Sequence, residues 1–413
     1  MPRELVSPQH SSLHRFAVLT AIATLGLVGI GGLVTSHGAG MAVPDWPNTY
    51  GYNMFFFPVS QWVGGIFYEH THRLAASGVG LLTIVLTLWL YGRGARPVMR
   101  WGGLILLLLG TGTMVAAPRR WADGSVAGLV GLASFGASWV WPRCEPSAKW
   151  LRWCGMAALM VVVLQGVLGG LRVVLFKDAI GIFHATLAQL FFVLVCAIAL
   201  FTSRWWQRPP RRIPSAVNSR LSALFLLATL MILGQLVLGA TMRHQHAGLA
   251  IPDFPLAYGK LWPATDAASV EHYNAQRIEV TAANPITAFQ IGLQMVHRLL
   301  ALSILGAVAF TAWSARRVLG GKSLLSRLAL VWLGMILTQA LLGAATIWSN
   351  KAADVATAHV LVGALSLGMG AMLSLIVSRE LAFSRQTANS SAATGAFPLS
   401  PLEPQSAAIA GLH

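Results

Sequence analysis

The chain has 413 residues, of which 55% are hydrophobic and 10% charged, with 41 glycines and a mean hydropathy of +0.65. Repeated apolar runs of about twenty residues at this composition exclude a soluble globule and describe a polytopic membrane protein. The net charge of +16 does not argue for nucleic acid: with a cytoplasmic N-terminus, 19 of the 29 Lys and Arg fall on the cytoplasmic side, 8 fall outside, and Arg73 and Arg298 lie within spans.

In chain order, a cytoplasmic tail (1–14) leads to ten predicted spans near 15–35, 63–91, 101–117, 122–141, 150–171, 180–202, 220–242, 287–313, 325–348 and 355–378. Both termini are then cytoplasmic, and the outer loop from Ser36 to Glu69 carries no Lys or Arg. The segment 204–219 reads as a cytoplasmic linker, and the Ser-, Ala- and Pro-rich stretch 379–413 as a disordered tail. Cys144, Cys154 and Cys196 fall in a cytoplasmic loop and two spans, so no outer disulfide and no CxxC metal motif is expected.

The chain is duplicated. GMAVPDWPNTYG at 40–51 returns as GLAIPDFPLAYG at 248–259, with the same Gly, Ala, Pro, Asp, Pro, Tyr and Gly in register. YEHTHRLAAS then aligns with LQMVHRLLAL, and LQGVLGG at 164–170 with TQALLGA at 338–344. The spacing between these matches places an insertion at about 95–145 in the first half, a hairpin of two spans that preserves parity. The expected architecture is all-α: two four-helix bundles related as parallel repeats (15–203 and 220–378) plus the inserted hairpin.

Four histidines, His72, His184, His297 and His359, each stand about twenty residues before the next cytoplasmic arginine (Arg93, Arg204, Arg316, Arg379), hence at one depth near the outer face. Ionisable groups within a span mark functional sites. Two imidazoles per bundle at matched depth suit bis-histidine haem ligation, with zinc or copper and hydrogen-bonded core histidines as the competing readings. The residue at i+4 is small in every case (Ala76, Ala188, Ala301, Gly363), which admits a porphyrin edge. Arg73 and Arg298, each next to a histidine, are candidates for haem propionates, against snorkelling to headgroups. Trp46 and Phe254 read equally as interface anchors or lids.

Glu69 and Gln294 stand three residues before His72 and His297. Only the carboxylate can titrate, which places chemistry in the first half and electron relay or structure in the second. His70 projects to the opposite side of the helix from His72 and is not expected to bind the same iron. A metal contact by the outer-side pair His244 and His246 is the minor reading beside ordinary loop residues.

Together, the ExxHR motif (Glu69, His72, Arg73), His184, the HR pair (His297, Arg298), His359 and the PDWP loop resemble the haem A synthase family, over about Gly31 to Ser378. The resemblance implies oxidation of the C8 methyl of haem O to a formyl group, giving haem A for cytochrome oxidase. By position it implies His72 and His184 around the substrate haem with Glu69 essential nearby, and His297 and His359 around a permanent haem b. It further implies a bacterial inner-membrane location, haem O delivered by a farnesyl-transferring haem O synthase, and an electron donor that is a quinol or an iron-sulfur protein. Cytochrome oxidase assembly factors and membrane lipid complete the expected partners. The extra hairpin departs from the usual eight spans, and the outer cysteine pair of some bacterial members is absent. The alternative is a di-haem b electron-transfer protein without haem-modifying activity.

Overall fold

The computed structural model describes residues 8–142, 149–208, 219–277 and 285–393. Twelve α-helices lie among them: α1 (Pro8–Ser36), α2 (Gly64–Tyr91), α3 (Ala95–Ala116), α4 (Trp121–Val140), α5 (Trp150–Leu175), α6 (Asp178–Thr202), α7 (Arg204–Gln207), α8 (Ser219–His244), α9 (Ala267–Ala275), α10 (Ala288–Leu319), α11 (Leu324–Trp348) and α12 (Ala353–Ala393). All but the short α7 and α9 match predicted spans in order. Apolar side chains all round leave the backbone to satisfy itself, and in a bilayer only a helix does so within one segment.

Eight stretches are long and apolar enough to cross a membrane, one of them the 53 residues Gly64–Ala116. As one rod that stretch would reach about 80 Å, far beyond a hydrocarbon layer of about 30 Å. Gly92 divides it: its φ of 55° ends α2 in a conformation that a side chain would oppose, and α3 starts afresh at Ala95.

The helices α3 and α4 form the inserted hairpin. Its tip meets the first outer loop through Asn53 Nδ2, which donates to Asp123 Oδ1 at 2.8 Å, and through Phe56 against Trp121. Its other end meets the inner end of α2, where Trp141 Nε1 donates to Leu88 O at 3.3 Å. The hairpin thus runs the full depth of the first half. Its two helices touch backbone to backbone: a methyl on Gly110 would lie 2.5 Å from Gly128 N, and one on Gly131 2.5 Å from Leu107 N. Small residues permit such approach where helices cannot gain hydrophobic burial from one another.

Around this, α1, α2, α5 and α6 close into a ring in that order, and α8, α10, α11 and α12 close into a second ring. The rings meet along α1, α6, α8 and α12. Gly29 and Gly32 of α1 seat Leu361 and Thr357 of α12, and Arg243 of α8 donates to Gly32 O at 2.8 Å. The protein is therefore an all-α, multi-pass membrane protein built as two parallel repeats.

Three details differ from expectation. Helix α1 begins at Pro8, inside the presumed tail, and α12 continues through the expected disordered segment to Ala393. Four of the fifteen residues 379–393 are Ala, the strongest helix former, and Arg379 anchors the run by donating to Trp206 O and Arg208 O. The linker at 204–219 starts as the short α7, while its residues 209–218, Cys144 and the tail beyond 393 lie outside the described residues. Replacing Gly110 by Leu should force α3 from α4 and cost about 1–3 kcal/mol, seen as a lowered unfolding midpoint; an unchanged midpoint would contradict backbone contact in the hairpin.

Candidate haem sites

Each histidine is backed by a glycine of the preceding long helix of its repeat. Gly31 of α1 faces His72 of α2, Gly169 of α5 faces His184 of α6, Gly239 of α8 faces His297 of α10, and Gly343 of α11 faces His359 of α12. A methyl on these glycines would stand 3.1, 3.4, 3.5 and 3.2 Å from the imidazole Cε1. In each ring the two histidine helices occupy opposite corners and the two glycine helices the other pair of corners. His72 lies within charge–charge range of His184, and His297 of His359.

Three corners share a further feature. Gln165, Gln235 and Gln339, one turn before the glycine, donate through Nε2 to the main-chain oxygens of His184, His297 and His359 at 3.0, 2.9 and 2.9 Å. At the His72 corner the equivalent residue is Leu27. In all four rings Nδ1 is buried with no hydrogen-bond partner. Core histidines holding a fold together would be paired, since buried polar groups almost always are. With the Nδ1 edge of each ring against a glycine, Nε2 is left for a ligand, although at His359 it also lies 3.4 Å from Gln339 Nε2; two such imidazoles across each ring fit an iron macrocycle gripped from opposite corners. Among the described residues no group of three or more His, Cys, Asp or Glu is placed to hold a metal ion, so the three- or four-ligand shell of zinc is not built from them.

The outer loops sit over these sites in matching form. Asp45 accepts from Tyr50 N and Gly51 N, and Asp253 from Tyr258 N and Gly259 N. Tyr50 and Tyr258 donate their hydroxyls to Ala42 O and Ala250 O, and both loops carry a cis peptide, at Trp46–Pro47 and Phe254–Pro255. Burial, with Tyr273 stacked at 3.6 Å, pushes the Tyr258 hydroxyl up to about 12, so it remains a donor. Trp46 lies flat on Gly170, beside the glycine that backs His184. Phe254 accepts through its carbonyl from Trp348 Nε1, and its ring lies under Arg298. Both aromatics are bound to the bundle beneath them.

The residues three before the first histidine of each half hold these loops. Glu69 accepts from Val43 N at 2.8 Å through one oxygen and from Arg73 Nη2 at 2.8 Å through the other. Gln294 accepts from Ile251 N at 2.7 Å. Arg73 also donates to the carbonyls of Asp45, Asn48 and Val43, and Arg298 to those of Leu256 and Asp253. The guanidinium groups expected to meet propionates are thus engaged with loop backbone. His70 is sealed under the same loop, with Nδ1 3.2 Å from Thr49 Oγ1 and the ring packed edge-on to Trp62 and tilted against Phe57, away from the His72 site as its helical position implies. The His244–His246 pair does not converge: His244 is buried against Gly181, while His246 is exposed.

Two basic residues were missed from the sequence. Arg172 of α5 lies within charge–charge range of His72 and His184, and Arg243 of α8 of His359. The available signal was a basic residue in the outer turn of a span, where the positive-inside bias disfavours one. At Gly363 the expected space for a porphyrin edge is taken by Leu236 and Gln339, 2.9 and 3.1 Å from where a methyl would stand.

A family model described as cytochrome oxidase assembly protein, COX15-CtaA, matches residues 119–370, more than half of the chain. The chain belongs to this family. Within the COX15-CtaA match lie His184, His297 and His359, together with the glutamines and glycines that back them; His72 precedes it. A protein of Rhizorhabdus wittichii named heme A synthase is 26% identical over 375 residues, covering 87% of this chain and 92% of that protein. Family membership favours haem modification over the di-haem electron-transfer alternative. In a COX15-CtaA chain so arranged, Gly343→Val should drive the His359 ring from its place and abolish the second-half haem signal in the absorption spectrum of purified protein; a full signal would show that the backing glycine is dispensable.

Proposed function

We propose that the chain is a haem A synthase, an oxidoreductase that converts the C8 methyl of haem O to a formyl group by successive hydroxylations at that carbon. The observation that carries this is the pair of opposed imidazoles in each ring, each backed by a glycine on its Nδ1 edge, in a chain of the cytochrome oxidase assembly family. His72 and His184 hold the substrate haem, and His297 and His359 hold haem b. When bound, haem b would supply electrons drawn from a quinol or an iron-sulfur protein, and dioxygen would be the oxidant: each hydroxylation consumes one O2, two electrons and two protons and releases one water, and the gem-diol left after the second loses water to give the formyl group. The enzyme works in the bacterial inner membrane, receives haem O from a haem O synthase and passes haem A to cytochrome oxidase assembly.

The chain's own contribution is orientation and charge. Gln165, Gln235 and Gln339 fix the helix turn that carries a ligand, and the glycines admit each ring close to the neighbouring backbone. Arg172 provides the cationic surroundings for haem carboxylates in the first half, and Arg243, which through Nη2 also donates to Gly32 O and Ser36 Oγ, provides them in the second. Arg73 and Arg298 act one layer further out, closing the loops that exclude water from the outer end of each site.

Gln294 shows that an amide is enough to hold a loop. The carboxylate of Glu69 therefore brings something more: a buried negative charge, paired with Arg73, one turn from His72. Glu69→Gln should keep the loop through Val43 N and retain haem, yet lower haem A yield about 100-fold, within the usual range for removing an acid–base group. Haem extraction after co-expression with a haem O synthase measures this, and wild-type yield would remove Glu69 from the mechanism. His297→Ala should deplete haem b while leaving haem O bound in the first half; full retention of the haem b spectrum would contradict the second-half assignment.

A further inference from the structure

A groove of about 490 Å³ runs between α1 and α2, lined on α1 by Ala23, Gly26, Leu27 and Ile30 and on α2 by Ala75, Gly78, Val79, Leu81 and Leu82. It starts beside the His72 corner: Ile30 adjoins the glycine that backs the ring, and Ala75 and Val79 continue the stripe of α2 on which His72 stands. From Ala75 to Leu82 it descends about 10 Å towards the membrane centre. Gly26, Gly78 and Leu81 are exposed, so it opens to lipid along one side.

The repeat supplies an internal comparison. Through the alignments that pair Gly31 with Gly239 and His72 with His297, Ala23, Ala75 and Gly78 correspond to Met231, Leu300 and Ser303. Met231 and Leu300 pack against the core of the second half. Lower down the exchange reverses, with Leu81 and Leu82 facing Gly306 and Ala307 in the alignment. The first-half groove is therefore open beneath its histidine and floored further in, whereas large side chains stand at the upper positions of the second. The polar handle differs too. Leu27 occupies the one corner of four without a glutamine, so the groove wall next to His72 is wholly apolar there.

Resting on the reading that haem O is the first-half substrate, we infer that this groove receives the isoprenoid tail of that haem and is what selects a prenylated haem for the first half. A long branched hydrocarbon attached to a ring held at His72 needs an apolar channel that starts near the ligand and opens to the bilayer from which it enters; this groove begins at Ala75, one turn along α2 from His72, and is open to lipid. Haem b, which lacks the tail, finds no such channel in the second half.

The test replaces Ala23 by Met and Ala75 by Leu together, installing the second-half residues. Purified wild-type and variant protein, each carrying second-half haem b as a check on folding, are titrated with haem O and with haem b, and first-half occupancy is followed by Soret difference spectra. Wild type should prefer haem O, and the variant should bind it at least tenfold more weakly while its affinity for haem b stays within twofold. Equal haem O affinity in variant and wild type would overturn the inference. If the double variant does not accumulate with its second-half haem, Leu27→Gln, which adds polarity without bulk, takes its place and should weaken haem O binding selectively; unchanged selectivity there would be equally fatal. Binding is read without turnover. A wild type that binds haem O in the groove yet yields no haem A would refute the proposed reaction alone, and a variant that binds and converts haem O normally would refute the tail site alone.

Discussion

A buried imidazole nitrogen without a partner is costly, and this fold carries four of them at one depth. Each arises from the same constraint. The Cε1–Nδ1 edge of each imidazole lies against a glycine of the neighbouring helix, and its partner imidazole stands on the opposite corner of the ring. The order of helices around each ring, the loops above it and the small residues between helices are all consistent with keeping that opposition. With Nδ1 turned to the glycine helix, Nε2 is the nitrogen left to ligate iron under the proposed function.

The duplication shows which features are scaffold and which are specific. Both halves repeat the Asp-centred outer loop, the residue that accepts from its backbone, and the arginine that clasps its carbonyls. Against that common frame three differences fall in the first half: a carboxylate where the second has an amide, a leucine where the other corners have glutamine, and an apolar groove where large side chains stand at the equivalent upper positions. The inserted hairpin is also on that side, its tip bonded to the first loop through Asp123. Departures from internal symmetry thus gather around the first site, apart from α9 in the longer second outer loop.

Much of this was legible in the sequence because membrane helices are set by composition and depth. The helices at the ten predicted spans and the matched histidines follow from apolar run length and from arginine spacing, although α4 is not among the eight stretches long and apolar enough to cross a membrane. The tail beyond 379 was misread because Ser- and Ala-rich sequence suits a disordered segment and a helix alike, and only the contacts of Arg379 with Trp206 and Arg208 decide between them. The loop contacts of Arg73 and Arg298 are not legible in the sequence, because an arginine beside a histidine does not reveal whether it turns inward to a ligand or outward to loop carbonyls. The backing glycines were visible within the LQGVLGG and TQALLGA repeat, but their facing partners depend on which helices occupy adjacent corners, and that is a property of the ring.

The most direct test is the ligation state of iron in the second half. Electron paramagnetic resonance and near-infrared magnetic circular dichroism of the oxidised, purified protein should give the low-spin signature of two neutral imidazoles, converted to a high-spin or differently ligated form by His359→Ala. A high-spin second-half haem in the wild type, or a bis-imidazole signal that survives loss of His359, would contradict the opposed-histidine account.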